Sequence, residues 1–235
     1  MKIKQFIRNL FSFGRTSPPV RRMIPMTLDA EGREVHGSDI FGNPFVITKQ
    51  SDGRLLKRTQ SNTASHTGDD TSRTALQYIA EGQTVDIHSG REFPANVLSN
   101  LYPSAFTFDG VRLSSMEGFL QSLKTANRKR QQKIHALSGI EAKNAGVSLK
   151  RRFDGRRLHW KEQTIDRFSP EYQQLLKQAY QAKFEQDALF RWALAATEGK
   201  TLTHSIGKSA PQDTILTENE FISLLNGLRT PNDEP

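Results

Sequence analysis

At 235 residues, with a formal charge of +8 at pH 7 and a pI near 9.8, the chain is long enough for one large domain, or for one of about 150 residues plus an extension, but cramped for two full ones. The absence of cysteine excludes a disulfide framework, a thiolate zinc site and a cysteine nucleophile, and fits a reducing compartment. The basic balance calls for an anionic partner if the charge is concentrated on one part of the chain.

The amino terminus, MKIKQFIRNLFSFGRTSPP, starts basic, but Arg8 and Asn9 break the apolar run before it reaches signal-peptide length, and no small-residue cleavage site follows. Secretion is not expected. Residues 2 to 13 read as a loosely packed helix, with an interfacial membrane helix as the alternative. No apolar run approaches the roughly 20 residues that cross a bilayer, so a cytoplasmic location is expected. Residues 1 to 83 read as an extension. Pro44-Phe45-Val46-Ile47-Thr48 alternates, and turn signals at Asp29-Ala30-Glu31-Gly32, Gly42-Asn43 and Asp52-Gly53 suggest one or two small hairpins. TQSNTASHTGDDTSRT, residues 59 to 74, has almost nothing apolar to bury and is expected to be a flexible linker.

Residues 84 to 230 carry the pattern of a globular domain. Strands are predicted near Thr84 to His88 and Phe106 to Leu113, the second pair turning at Asp109-Gly110. Helices are predicted at 115 to 126, 128 to 137, 140 to 146, 169 to 186, 187 to 197 and 217 to 228. Their start signals are Ser114 or Ser115 before Glu117, Ser138 before Glu141, Ser169 with Pro170 and Glu171, and Thr217 before Glu220 at capping-box spacing. The expected fold class is α+β: a predominantly helical single catalytic domain with a short β-hairpin, preceded by a flexible amino-terminal extension.

Within the helix at 115 to 126, SSMEGFLQSLK sets its polar residues oddly. At about 100° per residue, Glu117, Gln121 and Lys124 fall in one narrow stripe. Met116, Phe119, Leu120 and Leu123 fill one flank, and Gly118, Ser122 and Thr125 the other. The stripe is either a surface row of i, i+3 and i, i+4 hydrogen bonds, or the edge of a cleft where a ligand or another backbone comes close.

Between Lys124 and Lys161 there are twelve Lys or Arg against two acids, Glu141 and Asp154, so this segment is +10 and the rest of the chain −2. It reads as a solvated face or as a phosphate-binding rim in contact with nucleic acid, which would bind polyanions with strong salt dependence. Trp192 shares an apolar row with Phe190, Ala193 and Leu194 and is expected in the core. Metal binding is not expected, since the six histidines are scattered without an i, i+4 pair and there are no thiols. Gly207-Lys208-Ser209 lacks the upstream glycine and strand of a P-loop.

Ser99, Asn100, Tyr102 and Pro103, then Phe106 and Gly110, then Glu117, Phe119, Gln121 and Lys124 form a Ser-Asn-aromatic loop, a hydrophobic hairpin and a polar-striped helix. This pattern resembles the NADAR superfamily, the YbiA-like proteins. The resemblance resumes at Ala182-Lys183-Phe184-Glu185-Gln186, Ala195-Ala196-Thr197, His204 and Thr217-Glu218-Asn219-Glu220-Phe221, closing at Leu228-Arg229. It spans about residues 92 to 229. It implies an N-glycosidase without a cofactor, acting on a ribosylated nucleotide or metabolite of the riboflavin pathway, or on ADP-ribosylated guanine in nucleic acid.

By that resemblance Glu117 stabilises an oxocarbenium-like charge or activates water. Lys124 is either a Schiff-base nucleophile or a phosphate binder, and Asp213 is either a second acid or a turn-capping residue. Ser99, Asn100, Tyr102, Gln121, Trp160, His204 and Asn219 would contact the substrate, Trp160 by stacking; the alternatives are a core or interface role for Trp160 and an Asn219 that only orients the last helix. The chain departs from the pattern at residues 204 to 214, where YbiA-like proteins have a glycine-rich Trp-Gly-Asp-Gly loop, and in the longer stretch from Trp160 to Ala182. A non-catalytic module that binds ADP-ribose or a nucleotide, with a basic nucleic-acid-binding face, is the alternative.

Overall fold

The fold is taken from a computed structural model that describes residues 26–38, 43–52, 54–61, 73–79, 82–149 and 154–229. The candidate helix at 2 to 13 and the centre of the candidate linker, 62 to 72, lie outside the described residues.

The first five strands are β1 (Thr27–Leu28), β2 (Glu34–Ser38), β3 (Pro44–Lys49), β4 (Leu55–Ser61) and β5 (Arg73–Ile79). Each pairs antiparallel with the next in one meander. Alternation along the strands turns Val35, Phe45, Ile47 and Leu55 to a buried face. These side chains join the same hydrophobic core as the helices that follow. Two polar contacts reinforce the docking: the Met26 N–H donates to the Tyr102 hydroxyl at 2.8 Å, and Lys57 Nζ lies 3.2 Å from Glu92 Oε2 and 4.6 Å above the Phe45 ring.

The remainder alternates short strands with helices. β6 (Thr84–Asp86) pairs in parallel with β11 (Thr201–Thr203), bringing residues over a hundred positions apart side by side. α1 (Ala95–Leu98) leads to a hairpin of β7 (Phe106–Phe108) and β8 (Val111–Leu113). Next come α2 (Met116–Ser122), α3 (Arg128–His135) and α4 (Gly139–Leu149), then a hairpin of β9 (Arg157–Trp160) and β10 (Gln163–Asp166), α5 (Pro170–Gln186), α6 (Ala188–Ala195) and α7 (Glu218–Arg229).

Several predicted start signals act as caps. The Ser115 Oγ accepts from the Gly118 N–H at 2.9 Å, and Ser169 caps α5 with Pro170 in its first turn. Thr217 and Glu220 exchange bonds at 3.2 and 2.7 Å. On α5, Tyr172, Leu175, Leu176, Ala179, Tyr180 and Lys183 are buried, the i, i+3, i+4 stripe of a helix laid on a core.

With seven helices and eleven short strands among the described residues, the fold is mixed α/β, where a predominantly helical catalytic domain with a short hairpin was expected after an extension with one or two small hairpins. The excess lies in polar strands. β4 and β5 pair out to Ser61 and Arg73, because a ladder is held by backbone groups and needs apolar side chains on only one face. Among the described residues, no helix is long and apolar enough to cross a membrane.

Candidate functional site

Helix α2 begins against loop 99 to 102. The Asn100 carbonyl accepts from the Glu117 N–H at 2.8 Å, and Asn100 Oδ1 accepts from the Tyr180 hydroxyl of α5 at 2.7 Å. Backbone and side chain of Asn100 thus clamp the loop between the start of α2 and α5. One turn along α2, Gln121 Nε2 donates to Glu117 Oε1 at 2.8 Å. Burial pushes the Glu117 carboxyl above the usual carboxylate range. The Gln121 hydrogen bond and the charges of Lys124, Lys143 and His204 oppose that shift without cancelling it. An acid that resists ionisation therefore stands among groups that favour its anion.

The small-residue flank of α2 is a backbone approach. A Cβ on Gly118 would lie 2.8 Å from the Leu137 carbonyl oxygen and 3.0 Å from that of Ile134, at the end of α3. On α4, a Cβ at Gly146 would lie 1.6 Å from Gln121 Oε1. Gln121 is buried, and its Oε1 has no hydrogen-bond partner among the described residues. A buried acceptor left without a donor costs about 1–3 kcal/mol.

His204 follows β11. Its Nδ1 lies 2.6 Å from the Ile87 carbonyl oxygen, a contact that requires the proton on Nδ1 and leaves Nε2 as the acceptor of the neutral ring. Phe221 packs edge-on against the imidazole at 5.1 Å. The next residue is clasped by Asp86 of β6, whose carboxylate accepts from the Ser205 N–H and hydroxyl, both at 2.8 Å, and from Arg91 at 3.1 Å. Burial raises the Asp86 pKa, but the bonds from Ser205 and Arg91 outweigh it and hold the carboxyl at about 2.

The other expected site residues are distributed as follows. Ser99 is buried, with its Oγ accepting from the Leu101 N–H at 3.4 Å, and Tyr102 is buried against the first strands. Trp160 is 4% exposed. Its ring is enclosed by Phe108, stacked at 5.4 Å, by Phe119 at 5.2 Å and by His135 at 5.8 Å, and its Nε1 donates to Asp109 at 3.0 Å. Asp213 sits in an exposed turn, its N–H donating to the Ala210 carbonyl. Among the described residues no hydrogen bond or ion pair joins its carboxylate to α2. Asn219 is exposed on the first turn of α7. Lys124 is partly exposed just past α2. The fully buried amine is Lys183, 4.2 Å from the Phe190 ring, where burial lowers its pKa to about 8 against the pull of Asp187.

Lys143 and Tyr180 are neighbours of Glu117 that the sequence reading missed. Lys143 lies on the exposed side of α4 with no motif around it, and only the packing of α4 on α2 brings its charge near enough to favour the Glu117 anion. Tyr180 could have been found from the buried stripe of α5, since it falls four positions after Leu176.

A family profile described as Bacteriophage protein GP30.3 matches residues 92–230. The chain belongs to this NADAR family. The matched span holds α1 to α7 and every residue just placed around Glu117, while β1 to β6 precede it. A relative of this NADAR chain, an uncharacterized 17.1 kDa protein from the Gp30–rIII intergenic region of Enterobacteria phage T4, is 41% identical over 146 residues, which is 62% of this chain and 96% of the relative. Among solved structures, the NMR structure of the E. coli protein YbiA is similar at 20% identity with a TM-score of 0.44, covering 63% of this chain and 83% of that one.

Proposed function

We propose that this NADAR chain is an N-glycosidase that hydrolyses the C1′–N bond of a ribosylated base, with ADP-ribosylated guanine in nucleic acid or a phosphoribosylated metabolite as substrate. The observation that carries the reading is the setting of Glu117: a carboxyl raised by burial, bonded to Gln121 and faced by Lys124, Lys143 and His204. Breaking a ribosyl C–N bond builds positive charge at C1′ and the ring oxygen. A carboxylate at hand lowers that charge's energy, and cations beside it suit a substrate that carries phosphates.

In the reaction, the electron pair of the C1′–N bond departs with the base nitrogen. Water attacks C1′, and Glu117 accepts one of its protons. That proton then passes to the base nitrogen, so the products are a ribose hydroxyl and a neutral base. Gln121 holds Glu117 in position, and His204, held through Nδ1 by the Ile87 carbonyl, presents Nε2 for a hydrogen bond with a ribose hydroxyl.

Two observations favour a second reading, a non-catalytic module for ADP-ribose or a nucleotide: among the described residues the Asp213 carboxylate has no hydrogen bond or ion pair to α2, and the Trp160 ring is already enclosed. A panel of ribosylated nucleotides and ADP-ribosylated nucleic acids, scored for released base alongside calorimetry with ADP-ribose, separates the two. Base release supports the glycosidase. Tight binding with no release from any member supports the module and overturns the glycosidase.

A further inference from the structure

Helix α3, RKRQQKIH, carries Arg128, Lys129, Arg130 and Lys133 and no acid. Lys129 and Lys133 stand four residues apart on one face, where like charges repel. They line a cavity of about 460 Å³ together with Lys124, Arg130, Thr125 and Asn127. Four cations thus surround one concavity that has no acid in its lining. Among the described residues no ion pair engages Lys129, Arg130 or Lys133; Arg130 reaches only the Ser148 hydroxyl, at 3.4 Å.

The neighbouring cavity, of about 480 Å³, makes the contrast. It is also lined by cations, Arg112, Arg128 and Lys161, but Arg128 lies 2.9 Å from Glu162 and Lys161 2.7 Å from Asp109. Its charge is largely answered from within the protein, whereas among the described residues no acid answers Lys129, Arg130 or Lys133.

Lys124 belongs to both the first cavity and the surroundings of Glu117. At ~1.5 Å per helical residue α2 runs about 8 Å from Glu117 to its end, two residues before Lys124, within reach of a phosphate on the same nucleotide or the next one. We propose that the cavity walled by Lys124, Lys129, Arg130 and Lys133 is an oligoanion subsite that seats the phosphates of the substrate. Its role in turnover rests on the reading of Glu117 as the reacting centre; its binding of phosphate does not. Two sources present this chemistry, the diphosphate of a nucleotide and the phosphodiester backbone of a nucleic acid.

The test uses the full chain with Lys129→Glu, Arg130→Glu and Lys133→Glu combined. A control reverses three exposed cations elsewhere, Arg33, Arg58 and Lys177, for the same change in net charge. Binding is read as anisotropy of a labelled single-stranded DNA 12-mer across a salt series, and by calorimetry with ADP-ribose. The subsite variant is expected to lose at least about tenfold in oligonucleotide affinity. Its salt slope should fall by about 0.7 per phosphate contact removed, and the control should change far less.

Loss confined to the oligonucleotide supports the backbone as the source, and loss with ADP-ribose as well supports the diphosphate. Affinity and slope unchanged for both ligands, or lowered equally by the control, overturn the subsite. The paired neutral variant Lys129→Gln with Lys133→Gln repeats the measurement if the triple reversal fails to fold. A wild-type chain that releases no base, while the subsite variant still loses binding, overturns the glycosidase reading and leaves the subsite standing.

Discussion

A methyl group at Gly146 would overlap Gln121 Oε1, and Gln121 is the residue that holds Glu117 Oε1. Gly146→Ala is therefore expected to push the amide off the carboxylate. That bond favours the charged form of Glu117, so losing it raises an acid already raised by burial. If ionised Glu117 is the base, the acidic limb of kcat/KM moves to higher pH. A displacement of about 1 Å at a reacting group lowers the rate by about 10²-fold. A pH–rate profile of Gly146→Ala that overlays the wild type would remove Gln121 from the site. The pairing of Glu117 with Gln121 was legible from helical spacing alone, but α2 ends at Ser122, short of the expected residue 126, so Lys124 lies past it, and spacing left open what lies on the glycine flank. The Leu137 and Ile134 carbonyls against Gly118 answer it, and they come from a different element. Lys143 and the hold of Ile87 on His204 were hidden for the same reason, since they exist only through packing between elements.

At the scale of elements, one buried ion pair ties the end of the chain to its middle. Arg167 is 1% exposed. It meets Glu220 in two bonds of 2.8 and 2.6 Å, reaches the Thr214 carbonyl at 3.1 Å and lies 4.9 Å from the Tyr172 ring. Glu220 also accepts from the Thr217 N–H, so the capping box of α7, the loop before it and the start of α5 share one carboxylate. Arg167→Ala leaves that carboxylate uncompensated and is expected to cost about 3–5 kcal/mol, read from urea unfolding of the full chain. A loss below about 1 kcal/mol would contradict it. Burial raises the Glu220 pKa, but Arg167 and Thr217 hold it below its usual value. The stability it contributes is thus present above the unfolded-state pKa and lost as pH falls through the lowered one. The helices on either side were legible because Ser169, Pro170, Thr217 and Glu220 announce their starts. The β9–β10 hairpin was not: it turns at Lys161 and Glu162, and Lys161 takes a positive φ of 52° that its residue type does not advertise.

For the whole molecule, two features of the sequence met different fates. The polar stretch after Leu55 gave no sign of the paired ribbon of β4 and β5, because a ladder of backbone bonds leaves little trace in composition. The concentration of charge between Lys124 and Lys161 was plain, and the fold divides it. Arg128, Arg156, Arg157 and Lys161 are matched by acids, while Lys129, Arg130 and Lys133 of α3 line a cavity beside the Glu117 setting. An acid and an amide on α2, an amine just past its end and the cations of α3 beside them make the arrangement on which the proposed reading of an anionic ribosyl substrate rests.

The most direct measurement is base release by the full-length Glu117→Gln variant, compared with wild type on the substrate the wild type turns over best. The account predicts less than a tenth of wild-type turnover with the fold kept. Because folding raises the pKa of Glu117, its ionised form lowers stability increasingly as pH rises through the raised value. The melting temperature of the variant at neutral pH should therefore equal or exceed that of the wild type. Turnover above a tenth of wild type in a folded variant would contradict the central role of Glu117.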